Sequence, residues 1–320
     1  MKYLPVALLA LILLAIASLL IGVSDVSLAA LFADNANSRA KQILLISRLP
    51  RTLALVLAGS SMAIAGLIMQ MLVRNRFVEP ATAGTLESAS LGLLVITLFA
   101  PGLALMGKML VSALFALFGT LLFLRILRQV PLRDILLVPL IGIMLGGIIS
   151  AVTTFFAYRY DLLQSLLAFR SGDFSGVLSG RYELLWLGFL FALAAWFLAD
   201  RLTVAGMGED FTTNLGLNYR HTVTLGLIIV SLVSASVVVT VGMIPFLGLL
   251  VPNIVSLIMG DNMRRAIPWV ALLGSFFVLL CDMIGRTIRA PYEIPIGTVV
   301  GVVGSALFLY LLLRKSAHAS

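Results

Sequence analysis

Long apolar stretches alternate with short polar segments along the whole chain. A helix needs about 20 apolar residues to cross the hydrocarbon core of a bilayer. Eight stretches lack Asp, Glu, Lys and Arg and approach that length: residues 3–24, 52–73, 88–107, 109–124, 135–158, 184–199, 266–281 and 294–313. A ninth stretch, 222–260, holds 39 residues and divides at 242–245, where proline cannot donate to a helix ladder. The pattern predicts ten membrane-spanning helices, with both termini on one side.

The first apolar stretch has two interpretations. A secretory signal peptide has an apolar core of about 7–15 residues, and the pair Ala29 and Ala30 resembles the small residues of its cleavage site. The run from Tyr3 to Val23 is longer than such a core, and only Lys2 precedes it as a cation. The pattern therefore favours a retained first helix over a cleaved signal.

Composition supports a membrane protein. The chain is 61% hydrophobic and 11% charged, whereas soluble domains are about 45–50% apolar and about 25% charged. This excludes a soluble enzyme or a cytosolic binding module, because one globular core cannot hide so many apolar side chains. One Cys and two His residues are too few for a disulfide framework or a Cys/His metal site. We therefore expect an all-α integral membrane protein without a bound metal.

The net charge of +8 lies in the connecting segments, and no basic and aromatic residues interleave into a nucleic-acid surface. With the amino terminus inside the cell, 12 Lys and Arg residues fall on the cytoplasmic side and 10 on the outer side. Cytoplasmic loops normally carry a clear excess of these residues, so charge leaves the orientation open. The many cations on the outer side need an explanation, and one answer is a docking surface for an acidic partner.

Two stripes of small residues recur at i, i+4 and i+8 in the fifth and tenth predicted helices. Such stripes allow helix backbones to approach closely in lipid. Ordinary helix packing explains them, and so does a face that lines a path or a subunit interface. The members are Gly142, Gly146 and Ser150 in one helix, and Gly297, Gly301 and Ser305 in the other.

Catalytic and proton-relay chemistry has little support in the sequence. The Gly-Ser-Ser segment at 59–61 has no intramembrane histidine to act as its base, and no phosphate-binding loop of the G-x-x-x-x-G-K-[ST] type occurs. Glu87 and Asp282 are intramembrane acids, the residue type of proton relays. Asp282 lies four residues before Arg286, so an ion pair along one helix face is the simpler interpretation.

Several spaced motifs resemble one known family. They are Arg-Leu-Pro-Arg at 48–51, the segment 70–80, Gly-Met-Ile-Pro-Phe-Leu-Gly-Leu-Leu-Val-Pro-Asn at 242–253, Asp-Met-Ile-Gly-Arg-Thr at 282–287, and Glu-Ile-Pro-Ile-Gly at 293–297. In this order, from about residue 40 to the end, they resemble the iron-siderophore and vitamin B12 permease family. Members of that family are the membrane subunits of type II ABC importers.

The resemblance implies an architecture and a set of partners. The expected fold is a type II ABC importer permease of ten helices that forms a single transmembrane domain over residues 1–320. Two permease chains would stand on two ATPase subunits, which bind ATP and Mg, and a siderophore-binding protein would deliver the cargo. The expected location is the bacterial inner membrane, with both termini in the cytoplasm and membrane lipid around the bundle.

The expected function is passage of a ferric siderophore into the cytoplasm, with the iron kept in its chelate and no cofactor on this chain. Residues 74–80 and 83–87 depart from the commoner family pattern. They resemble the branch that imports ferric catecholate-type siderophores, such as enterobactin, petrobactin, anguibactin or vibriobactin. That branch commonly pairs two different permeases, so the resemblance implies a heterodimer. A proton- or sodium-coupled secondary transporter and a membrane enzyme are the alternatives.

The resemblance also implies residue roles. Arginines would dock the binding protein on the outer face, namely Arg48, Arg51 and Arg286, with Arg289 added from proximity alone. The segment 202–221 would couple to the ATPase through Gly208, Glu209, Asp210, Leu215, Gly216, Leu217 and Asn218. A cytoplasmic gate would form from two turns. One turn contains Asn75 and Phe77, and the other contains Asp134 and Leu136. The two small-residue stripes would form the walls of the path above this gate.

Overall fold

The computed structural model describes residues 3–21, 39–129, 137–260, 262–289 and 291–317. Within these ranges the chain is helical, and no strand occurs. The helices are α1 (Leu4–Leu20), α2 (Arg39–Ile43), α3 (Leu49–Val73), α4 (Thr85–Phe99), α5 (Leu105–Leu127), α6 (Leu137–Arg159), α7 (Leu163–Ser171), α8 (Leu184–Phe197), α9 (Ala199–Ala205), α10 (Glu209–Asn214), α11 (Tyr219–Val241), α12 (Leu247–Met259), α13 (Met263–Thr287) and α14 (Ile296–Ala317). A π-helical turn, Leu44–Arg48, joins α2 to α3.

Six helical segments within the described ranges are long and apolar enough to cross a membrane: Lys41–Val73, α5, α6, α11, α13 and Ile296–Leu313 of α14. Helices α8 and α9 together form a seventh candidate, which is bent by 70°. Helices α1, α4 and α12 are apolar but shorter, with 17, 15 and 13 residues. Each predicted stretch therefore contains an apolar helix, whereas the count of ten complete spans stays a prediction.

One predicted boundary is wrong. The sequence pattern separated the third and fourth stretches at Lys108, but Lys108 lies inside α5. The turn between α4 and α5 falls at 100–104, where Pro101 and Gly102 interrupt the helix. A lysine near a helix end is tolerated because its apolar stem lies along the helix while the ammonium group reaches water. Proline is therefore the stronger boundary signal here.

The predicted break in the ninth stretch is confirmed between α11 and α12. Gly242 has a φ of 87° and Phe246 a φ of 61°, values in the left-handed region that do not continue an α-helix. The backbone of the break is satisfied by its neighbours, since Met243 N donates to the carbonyl oxygen of Phe169 at 3.0 Å. The break is thus built into the bundle and packs against the end of α7.

Helix α3 is the centre of the bundle, because nearly all residues of 54–70 are buried. It packs against α8, α11, α12 and α13. Two pairs of glycines allow backbones to touch. A Cβ atom on Gly59 would lie 2.8 Å from the carbonyl oxygen of Gly274. A Cβ atom on Gly66 would overlap the backbone of Gly248. Small residues thus provide the close helix packing that membrane bundles depend on.

Candidate functional site

A buried ionic network lies where α3 begins and α13 ends. Arg51 Nη2 and Nε donate to Asp282 Oδ1 at 2.8 and 3.2 Å, and Arg51 Nη1 donates to Glu293 Oε2 at 2.7 Å. Arg286 pairs with the second carboxylate oxygen of Asp282, whose side chain is 1% exposed. The predicted Asp282–Arg286 ion pair is confirmed, and Arg51 joins it from 231 positions away. Beside Asp282, the only cysteine of the sequence, Cys281, is also buried.

Two of the predicted docking arginines hold the carboxyl-terminal end of α1. Arg48 Nη1 donates to the carbonyl oxygens of Leu19 and Leu20 at 2.8 and 3.2 Å. Arg286 Nη1 donates to the carbonyl oxygen of Ile21 at 2.8 Å. The last carbonyls of a helix lack intrahelical partners, and a cation there also interacts favourably with the helix dipole. Both arginines are buried, so they fasten α1 to α3 and α13.

The predicted docking residues therefore differ in accessibility. Arg48, Arg51 and Arg286 bond within the chain, whereas Arg289 is exposed. The guanidinium carbon of Arg289 lies 5.9 Å from the ring centroid of Tyr292, a cation–π distance. Sequence reasoning missed this difference because the partners of Arg48 and Arg51 lie on segments distant in the chain. A contact of these arginines with a binding protein stays a prediction.

The segment between α8 and α11 lies at the opposite end of α3, where a Cβ atom on Gly208 would lie 3.0 Å from Arg74 Nη1. Gly208, with a φ of 119°, and Gly216, with a φ of 75°, bound α10 on its two sides. Glycine adopts such angles without steric cost. Buried Thr212 fixes α10 in place, because its Oγ1 donates to the carbonyl oxygens of Gly208 at 2.6 Å and Val204 at 3.1 Å.

Exposed apolar side chains occur on this polar segment. Met207, Phe211 and Leu215 are 60%, 47% and 57% exposed, which favours a surface that a partner covers. The sequence prediction named Leu215 and missed the other two, although their apolar character within a polar stretch was visible. Asn218 caps α11, since its Oδ1 accepts a hydrogen bond from His221 N at 3.0 Å. Among the other predicted coupling residues, Glu209 and Asp210 are exposed and Leu217 is half-buried.

The connection between α3 and α4 folds back into the bundle and contains two of the predicted gate residues. Asn75 is buried, and its Oδ1 accepts a hydrogen bond from Phe77 N at 2.8 Å. The Phe77 ring packs edge-on against Phe308 of α14, with 6.0 Å between ring centroids. Phe77 thus contacts a neighbouring helix, and its role as a gate stays a prediction. The other two predicted gate residues, Asp134 and Leu136, lie outside the described residues.

Two polar side chains attach this connection to α12. Glu79 Oε1 accepts a hydrogen bond from Phe246 N at 3.0 Å. Asn253 Nδ2 donates to the carbonyl oxygen of Arg76 at 2.8 Å. Irregular backbone is tolerated at membrane depth only where protein groups or water satisfy it. These bonds therefore position Phe77 between α12 and α14.

The small-residue stripe of α6 packs against the start of α4. A Cβ atom on Gly142 would overlap the carbonyl oxygen of Thr82. A Cβ atom on Gly146 would lie 3.4 Å from the carboxyl carbon of Glu87. Close packing within one chain therefore requires a glycine at position 142, whereas a Cβ atom on Gly146 would make only ordinary contacts. The role of this stripe as a wall of the path stays a prediction.

The stripe of α14 changes character along its length. A Cβ atom on Gly297 would overlap the carbonyl oxygen of Ser171, so this glycine permits close packing against α7. Gly301 is more open, since its Cβ position lies 3.8 Å from Pro245. Ser305 is exposed. Only this last part of the stripe is available to another chain or to a path.

The two intramembrane acids have different surroundings. Asp282 pairs with two arginines, whereas Glu87 Oε2 is buried without a hydrogen-bond partner among the described residues. Near Glu87, Arg170 Nη2 donates to Ser150 Oγ, the third member of the α6 stripe, at 2.7 Å. Across the part of the chain that the structure describes, no group of three or more His, Cys, Asp or Glu side chains is arranged to hold a metal ion.

Known proteins are similar to this chain over almost its whole length. The model of the FecCD transport family matches residues 9–314. The petrobactin import system permease protein YclN of Bacillus subtilis (strain 168) is 50% identical over 309 residues, which cover 97% of each chain. The ferric-anguibactin transport system permease protein FatD of Vibrio anguillarum (strain ATCC 68554 / 775) is 43% identical over 278 residues, 87% of this chain and 88% of the other.

The fold is also similar to a solved structure. A transporter assigned to the metal-chelate ABC type, in an inward-facing conformation, superposes with a TM-score of 0.81 and 26% sequence identity. The match covers 98% of this chain and 99% of the other. This similarity supports the expected all-helical permease architecture.

Proposed function

Because the chain belongs to the FecCD transport family, we propose that it carries a ferric siderophore across the membrane as the permease subunit of an ATP-driven importer. The observation that carries this proposal is the near full-length similarity to permeases named for petrobactin and ferric-anguibactin. A ferric siderophore is large and polar and cannot cross about 30 Å of hydrocarbon unaided. The chain itself is a non-catalytic permease, and a separate ATPase subunit hydrolyses ATP.

A proton- or sodium-coupled carrier is not favoured. Intramembrane carboxylates of such carriers take part in ion or proton pathways. Asp282 instead lies between Arg51 and Arg286, which balance its charge. Of the two intramembrane acids that the sequence indicated, only Glu87 has no salt-bridge partner among the described residues. Buried Glu79 instead accepts a hydrogen bond from Phe246 N, so support for a relay is thin.

The proposed assembly contains a second, different permease, two ATPase subunits and a siderophore-binding protein. The heterodimer rests on the resemblance to the catecholate-type branch. The proposed orientation has both termini in the cytoplasm. It is supported by α1, whose carboxyl-terminal end is held at the ionic network, so that its amino-terminal end points towards the α10 end of the bundle. It is also supported by Phe308, which brings the later part of α14 to Phe77 near that same end.

Uptake of radiolabelled ferric siderophore tests the function. A strain that lacks this chain should regain uptake when the chain and its partners are restored. Uptake should continue when proton and sodium gradients are collapsed while ATP is maintained. Uptake that stops with the gradients would favour the secondary transporter. No uptake of any ferric siderophore, with the chain present in the membrane, would refute the proposal.

We further propose that the outer face docks the binding protein through Arg289 and the edge of the ionic network. Arg51 is 13% exposed and Glu293 27% exposed, so an incoming carboxylate would compete there with the acids of the network. Reversal of the exposed charge in Arg289→Glu should weaken association of the binding protein at low salt, because outer charges steer docking. Arg159→Glu, at the exposed end of α6, is the matched control. Equal affinities for wild type and Arg289→Glu would contradict the role of Arg289.

The α10 segment is proposed to seat in the ATPase through its exposed apolar side chains. Phe211→Asp with Leu215→Asp places charges in what would be an apolar contact, and co-purification with the ATPase should be lost. Asn214→Asp adds a charge on the same helix without removing an apolar side chain, and it should leave the complex intact. The experiment compares the yield of the complex on affinity purification. A full complex with coupled ATPase activity in the double variant would contradict the proposal.

The contact between Phe77 and Phe308 is proposed to close the cytoplasmic end of the path. An apolar constriction can exclude water until its walls part. Phe77→Ala should therefore raise passive leak of a small polar solute into proteoliposomes, or raise basal ATPase activity of the complex. Phe77→Leu keeps an apolar side chain and should change both quantities less. Unchanged leak and ATPase activity in Phe77→Ala would contradict the gate.

A further inference from the structure

A groove outside the proposed transport path lies between the end of α5 and the beginning of α11. Its volume is about 440 Å³. Three arginines line it, Arg125 and Arg128 from α5 and Arg220 from α11. Its apolar wall includes Val223 and Leu227, which are both buried. The groove therefore combines a cationic mouth with an apolar floor.

No carboxylate of the described residues forms a salt bridge with the charges at the groove. Arg125, Arg128 and Arg220 are exposed. Arg220 lies in the first turn of α11, where the helix dipole also favours an anion. Three guanidinium groups that line one cavity are chemically suited to a phosphate, which accepts paired hydrogen bonds from arginine.

The position of the groove along α5 indicates where that phosphate comes from. Leu110, Leu114, Phe118 and Leu121 are 50%, 65%, 69% and 46% exposed. Their spacing of three or four residues forms one outward face, which a membrane protein covers with lipid. Arg125 continues this face at the next turn. The groove thus opens where a lipid-facing surface becomes cationic, at the depth of lipid headgroups.

We propose that this groove binds one anionic phospholipid, with its headgroup phosphate on the three arginines and an acyl chain along the apolar floor. Basic pockets between membrane helices on the cytoplasmic side are suited to such headgroups. The site is separate from the siderophore path, and the proposal does not depend on the cargo. The structural consequence is that the lipid ties α5 to α11 at the end of the bundle that carries α10.

Lipid-dependent thermal stability of the purified full-length chain tests the proposal. The chain in neutral detergent is titrated with phosphatidylglycerol, with phosphatidylcholine or with inorganic phosphate at equal ionic strength, and unfolding is followed by tryptophan fluorescence. Phosphatidylglycerol should raise the midpoint temperature saturably, and the other two should not. The combined variant Arg125→Gln, Arg128→Gln and Arg220→Gln should need far more phosphatidylglycerol, since each arginine near a membrane surface changes lipid affinity about fivefold.

The matched control removes three other cations from the same end of the bundle: Arg201→Gln, Arg264→Gln and Arg265→Gln. These arginines are exposed and do not line the groove. The control should keep the wild-type response to phosphatidylglycerol. An equal loss in both triple variants would show that only net surface charge matters and would overturn the site. An equal response to inorganic phosphate or to phosphatidylcholine would overturn the assignment to an anionic lipid.

Discussion

Asp282→Ala is expected to destabilise the folded chain by about 3–5 kcal/mol, because it leaves buried Arg286 and half-buried Arg51 without their shared carboxylate. Arg51 would keep one acidic partner, Glu293, whereas no other carboxylate is paired with Arg286 among the described residues. Arg286 also holds the end of α1, so the loss should loosen that helix as well. The measurement is the midpoint of thermal unfolding in detergent, together with the amount of protein recovered from membranes.

Asp200→Ala is the matched control for this prediction. Asp200 pairs with Arg264 at 2.7 Å, but the two side chains are 67% and 61% exposed. Exposed ion pairs contribute about 0–1 kcal/mol, because water screens them and the side chains lose entropy in forming them. Equal midpoints for Asp282→Ala and Asp200→Ala would show that the buried network does not stabilise the fold.

Gly66→Leu is expected to abolish folding. The new side chain would overlap the backbone of Gly248, and a backbone cannot move aside as the end of a flexible side chain can. Overpacking of a core typically costs about 1–3 kcal/mol, and a clash between the central helix α3 and the backbone of α12 should reach or exceed the top of that range. Replacing both Gly66 and Gly248 by Leu should not restore folding, because the backbones of α3 and α12 would still need to separate.

Gly147→Leu makes the same chemical change at a position where a Cβ atom would meet nothing within 4 Å. Gly147 is exposed on α6, so this variant should fold normally. Size-exclusion chromatography of the two purified proteins compares them, with a single symmetric peak expected only for Gly147→Leu. A monodisperse Gly66→Leu protein with wild-type thermal stability would contradict the close approach of α3 and α12.

Apolar stretches predicted the positions of the helices well, because a membrane demands about 20 apolar residues wherever a helix crosses it. The prediction failed at Lys108, which the sequence pattern used as a boundary. The structure places the turn at 100–104 instead. A charge at a helix end is compatible with the membrane, whereas Pro101 removes a backbone donor. Backbone chemistry was thus more informative than side-chain polarity at this boundary.

The site was less predictable, because its contacts join distant parts of the chain. Helical spacing was enough to pair Asp282 with Arg286, which lie on one face. No local signal could show that Arg51 would join them, or that Arg48 would hold the end of α1. Phe77 and Phe308 likewise meet only because the connection after α3 folds back towards α14. The residue types in the sequence marked these positions as candidates, but the tertiary fold determines which side chains are buried.

Because Cys281 is buried, the reactivity of its thiol can report on unfolding of the natural chain. Its side chain is 1% exposed, and the sequence contains no other thiol. A maleimide can react only when α13 moves out of the bundle, so the rate of labelling measures how often that region opens. Because Cys281 is adjacent to Asp282, the labelling rate would also report how often the ionic network opens, without any engineered probe.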